Sequence, residues 1–170
     1  MPTLDSTELV PLDRGTSMFV HVATVSEAAL PDADDEAVSL VMSWPWFAWN
    51  GLGAMRDDGS DGVHAEWLLT SLTATSYRRV STQHAERRLR SWASAFGWRD
   101  RERQSEAALE RMAERVHPLL RSGTVFMLEP PTDDECRWPY SPLGSNSGTV
   151  DLIVLDRARD RVHLILATDD

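Results

Sequence analysis

The chain has 170 residues, a hydrophobic fraction of 42%, a charged fraction of 26% and a formal net charge of −10. That length suits one domain able to bury roughly 70% of the surface its unfolded chain exposes, and the composition excludes a disordered chain. The acidic balance disfavours nucleic acid and anionic membrane surfaces, which repel it at long range.

No run of 18 apolar residues occurs, so no transmembrane helix is expected, and the first residues lack the pattern of a secretory signal. A single cysteine, Cys136, excludes an internal disulfide and suits a reducing compartment, with the cytoplasm as the expected location. All 17 basic residues are arginine, while Asn and Ile occur twice each, a bias expected of a GC-rich bacterial genome. Charge is uneven along the chain: residues 1–63 balance at −9, residues 64–121 at +4 and residues 122–170 at −5. The arginines of the middle third are expected to pair with the acidic flanks or to line solvated helix faces.

Residues 1–15, with Pro2, Pro11 and Gly15, read as an irregular arm, followed by one domain over 16–170. Residues 17–25 are rich in β-branched and apolar side chains and predict a strand. An acidic loop around Pro31 leads to a second predicted strand over Ala37–Ser43. Trp44, Trp46, Phe47 and Trp49 then cluster around Pro45, before the turn signal Asn50-Gly51 and a polar stretch holding Asp57, Asp58 and Asp61.

Between Val63 and Ala74, the residues Ala65, Leu68, Leu69 and Leu72 recur at helical spacing and predict a helix, although Thr and Ser compete with the helical backbone there. An extended run through Tyr77–Val80 is the rival reading. Two further stripes are clearer. Ala85, Leu89, Trp92, Ala93 and Phe96 predict one helix, with Ser81 or Thr82 as cap. Leu109, Met112, Val116, Leu119 and Leu120 predict a second, from about residue 100 to Arg121, with Pro118 in its last turn.

Thr124–Leu128 predicts a strand. Residues 129–148, with four prolines, form a long loop. Val150–Asp156 and Arg161–Thr168 then predict a hairpin across a four-residue turn. The elements together predict an α+β fold, a mainly antiparallel sheet of four to six strands with two or three helices packed on one face.

Three groups could carry function. His64-Ala65-Glu66 resembles the His-x-Glu of zinc-dependent nucleobase deaminases, in which the His binds metal and the Glu shuttles protons. That family completes its site with Pro-Cys-x-x-Cys, and this chain has only Cys136. No two histidines stand at ligand spacing, so no metal and no cofactor is assigned. Cys136 sits among Asp133, Asp134 and Glu135, carboxylates that make a thiolate scarcer. Trp44, Trp46, Phe47 and Trp49 either roof the core or, with Asp57, Asp58 and Asp61, form a binding surface.

The leading expectation is a small acidic protein-binding module, of the immunity, antitoxin or adaptor kind, that engages a basic protein. A hydrolase or deaminase-like enzyme using His64 and Glu66, with Cys136 or a distant histidine as a further candidate, is the alternative. A homo-oligomer, such as a dimer, paired through the edge of the C-terminal hairpin is the third.

Overall fold

The computed structural model describes residues 2–13, 18–27, 29–49, 62–95, 103–137 and 148–169. The elements run β1 (Thr3–Pro11), β2 (Met18–Ser26), α1 (Asp34–Met42), β3 (Val63–His64), β4 (Trp67–Leu68), β5 (Tyr77–Val80), α2 (Thr82–Ala93), α3 (Glu106–Leu120), β6 (Thr124–Leu128), β7 (Val150–Asp156) and β8 (Arg161–Asp169). Six strands form one antiparallel sheet in the order β1-β2-β8-β7-β6-β5, and β3 and β4 form a separate small hairpin. The fold is α+β, as the order of the elements predicts.

Both faces of the sheet are covered, which explains why β7 and β8 are continuous apolar runs rather than alternating ones. One face carries Val20, Val22, Val125, Leu152, Val154 and Ile165, which pack with Leu89 and Trp92 of α2 and Met112 and Val116 of α3. The other carries Ala23, Val25, Phe126, Ile153, Leu155, Leu164 and Leu166. It packs with Val38 and Val41 of α1, with Trp44, Phe47 and Trp49, and with Trp67 of β4. Two helices thus share one face and the third lies on the other. The two longer helices begin where the chain supplies a hydroxyl. Ser81 accepts from the His84 amide and Ser105 from the Ala108 amide, each at 3.2 Å.

Four local readings differ from the structure. The arm at 1–15 contains β1, nine residues long and mostly exposed, which shows no alternating pattern and is a strand because β2 pairs with it. Ala37–Ser43 belongs to a helix rather than a strand. Asp34, Asp35 and Glu36 sit in its first turn, where carboxylates favour the positive end of the helix dipole, and Ala37, Val38 and Val41 face the core. Residues 63–74 are not helical but form the β3–β4 hairpin and 3-10 turns at Leu69–Ser71 and Ala74–Ser76. The extended alternative at Tyr77–Val80 is the one realised. Finally, the β7–β8 hairpin lies inside the sheet, flanked by β6 and β2, so self-pairing through that hairpin has no free edge to use. The sheet's edges are β1 and β5.

At the start of β6 the chain passes very close to β7. A Cβ at Gly123 would stand 2.1 Å from the Leu155 carbonyl oxygen, so this position admits only glycine without a backbone shift. Among the described residues no helix is long and apolar enough to cross a membrane.

Candidate functional site

The β3–β4 hairpin places His64 at the end of β3 and Glu66 in the two-residue turn that follows. Ala65 between them has φ 52°, a left-handed conformation that costs a non-glycine residue about 1 kcal/mol. Its amide donates to the Trp49 carbonyl at 2.6 Å, and Trp49 forms a parallel bridge with His64. The turn is therefore held against the aromatic segment rather than left in solvent.

His64 points into the core. Its Nδ1 donates to the Phe47 carbonyl at 2.5 Å, and its Nε2 lies 2.7 Å from Asp151 Oδ2 on β7. The Phe47 ring stacks on the imidazole with centroids 3.9 Å apart and planes 1° apart. Tyr77 of β5 donates its hydroxyl to the same Asp151 oxygen at 2.6 Å, and its oxygen is 3.3 Å from Nε2. His64, Tyr77 and Asp151 are all buried.

A carbonyl only accepts, so Nδ1 carries a proton. Nε2 faces a carboxylate that Tyr77 already stabilises, so the imidazolium–carboxylate pair is the form this geometry supports. Burial pulls the His64 pKa down, but the Asp151 charge, its hydrogen bond and the Phe47 carbonyl outweigh it and raise it above the ordinary histidine value. Burial, the Asp151 charge and its hydrogen bond push Tyr77 well above the usual phenol range, so it remains a donor.

Glu66 turns the other way. Its Oε2 accepts from Arg137 Nε at 2.9 Å and from Arg137 Nη2, and its Oε1 accepts from Thr149 Oγ1 at 3.1 Å. The Arg137 guanidinium lies 6.0 Å from the centroid of the Trp67 ring, and Arg137 bridges to Trp67 through the backbone. One buried carboxylate thus ties together Arg137 and Thr149, which are twelve positions apart in the chain.

This arrangement corrects the metal reading of His64-x-Glu66. His64 keeps no lone pair for a metal, Glu66 is engaged by a guanidinium, and the two side chains diverge to opposite partners. The histidine also lies in a hairpin, not at a helix start. Cys136 is half-buried in a 3-10 turn, packed against the core beside Arg137. Among the described residues no three His, Cys, Asp or Glu side chains form a metal-binding group.

The aromatic candidates are mainly core. Trp44, Phe47 and Trp49 are 4%, 0% and 3% exposed, while Trp46 is half-buried, with its ring edge-on to Trp44. They roof the sheet and do not present an exposed aromatic surface. Asp57, Asp58 and Asp61 lie outside the described residues.

Asp151, Tyr77, Arg137 and Thr149 complete the constellation and were not singled out by the sequence reading. One signal was present. Asp151 is the sole acid between Val150 and Leu155, and a charge inside a fully apolar strand requires a buried partner.

No family model, curated protein or solved structure matches the chain. The architecture and site define its class by themselves: an antiparallel α+β protein with a covered sheet and a buried His–Asp–Tyr cluster that joins a hairpin to that sheet.

Proposed function

We propose that this chain is an acidic protein-binding domain that engages a basic partner protein. The supporting observation is how the charges are used. Arg90 faces Glu106, Arg111 faces Asp13, Arg115 faces Glu8 and Arg121 faces Glu86, so these four arginines of the basic middle third are spent on the chain's own acids. Asp35, Glu36, Glu110 and Glu114 are exposed and have no such pairing among the described residues. The net charge of −10 gives a field that steers a basic protein toward the surface and sets its on-rate. His64 and Glu66 of the enzyme alternative are consumed in holding the hairpin, which leaves binding as the reading the geometry supports best.

Affinity capture from lysate of the source cell at low salt, followed by purification of the retained pair, tests this. The expected result is a basic protein whose association slows and weakens steeply as salt is raised. Recovery of no basic protein, or of a partner indifferent to salt, would remove the reading.

A further inference from the structure

We infer that the free edge of β1 is where that partner docks, as an extended segment with alternating apolar and basic side chains added to the sheet; this rests on the binding reading above. An edge strand offers unpaired amides and carbonyls to an incoming strand, and side-chain pockets along it supply selectivity.

The sheet has two edges, and they differ in length. β5 is four residues long, and its exposed Arg78 and Arg79 are paired with Glu129 and Asp34. β1 is nine residues long, and its Asp5 and Glu8 are paired with Arg161 and Arg115. Its register is broken between Leu4 and Ser6, and Pro11 has no N–H, so the regular stretch available for pairing is Ser6–Val10.

That stretch has two unlike sides, because successive strand side chains alternate. On one, Leu9 sits opposite His21 and is 47% exposed, the exposed large hydrophobic among the described residues. On the other are Glu8 and Val10, and a groove of about 360 Å³, which Leu9 also lines, runs between residues 8–11 and α3. Its cations are already matched: Arg115 lies 3.3 Å from Glu8, and Arg111 lies 3.7 Å from Asp13. Glu114 lines the same groove and is exposed without an ion pair among the described residues, so the spare charge there is negative. An apolar side chain covers Leu9, and the lysine or arginine next to it reaches Glu114.

The test uses the full chain and a labelled eight-residue peptide of alternating Val and Lys, with an alternating Val and Glu peptide as control. Fluorescence anisotropy at low salt should show saturable binding of the lysine peptide only. Hydrogen exchange should show protection at Ser6–Val10, and Leu9→Asn and Glu114→Gln should each weaken binding about tenfold, the equivalent of one order in Kd. Both substitutions fall on exposed side chains, so the fold is retained. Equal binding of the two peptides, no saturable binding, indifference to both substitutions, or protection at β5 would each overturn the inference. So would a dimer by light scattering with β1 already protected, since a second copy would then hold the edge. A captured natural partner that binds the double variant as tightly as the native chain would overturn this surface alone and leave the binding reading standing.

Discussion

His64 Nε2 and Asp151 Oδ2 meet at 2.7 Å across 87 positions of sequence, and this buried pair fastens the β3–β4 hairpin to the centre of the sheet. Removing one member strands the other charge in the core, which costs about 3–5 kcal/mol. Asp151→Asn should lower the free energy of unfolding by that amount, and Tyr77→Phe, which withdraws one donor from the carboxylate, by about 1–2 kcal/mol. Urea denaturation followed by tryptophan fluorescence measures both, and near-native stability of Asp151→Asn would show that the pair is not the fastening.

The same pair gives an alkaline limb to the stability profile. His64 has its pKa raised in the folded state. Its contribution is therefore fully present below the unfolded value of about 6.5 and is lost as pH rises through the folded value. Stability of the native chain should decline above neutrality more steeply than that of Asp151→Asn, in which no anion holds the His64 proton, measured as the shift in urea midpoint with pH.

His21 acts in the opposite sense. Burial lowers its pKa to about 4, and among the described residues its Nε2 has no hydrogen-bond partner. Between about 6.5 and 4 the unfolded chain takes up a proton that the folded chain refuses, so stability falls as pH falls through that window, by an amount on the order of 3 kcal/mol. His163 and His117, also lowered, act the same way. His21→Leu should lose less stability between about pH 7 and pH 4 than the native chain; identical losses would exclude this cause.

Gly123→Ala should be among the most damaging small substitutions. Its Cβ would meet the Leu155 carbonyl at 2.1 Å, and relief requires β6 and β7 to move apart. A loss of about 2 kcal/mol or more is expected. Gly62→Ala, where a Cβ meets nothing within 4 Å but φ is +69°, should cost only about 1 kcal/mol. Thermal unfolding of the two variants side by side compares them.

Ser105→Ala should cost more than Ser81→Ala. Both remove a helix cap worth about 1 kcal/mol. Ser105 Oγ also donates to Asp13 Oδ1 at 2.9 Å, and its amide donates to Asp13 Oδ2, so this cap joins α3 to the segment after β1. A double-mutant cycle with Asp13→Ala would measure the coupling, and additivity would show that the two contacts act separately.

The parts of the fold legible in the sequence were those whose pattern repeats over several turns or strands. The stripes of α2 and α3 and the runs of β7 and β8 each carry enough apolar positions to specify their element. Short segments carried no such redundancy. Ala37–Met42 reads equally as strand or helix by its apolar content, and its acidic first turn and the sheet it packs on decided for helix. Residues 63–72 matched helical spacing by coincidence, since Leu68 and Leu69 are only half-buried.

The site followed the same division. His64 and Glu66 stood out as neighbours, but neighbours on a turn point apart, and their roles came from Asp151, Tyr77, Arg137 and Thr149, which are distant in the chain. Sequence alone determined the composition of the core stripes, the acidic balance and the α+β order of elements, because these depend on local periodicity and on counts. Only the tertiary structure decided that His64 is an ion-paired core residue, that Trp44 and Trp49 face inward and that β1 is an edge strand, because each depends on which segments meet in space.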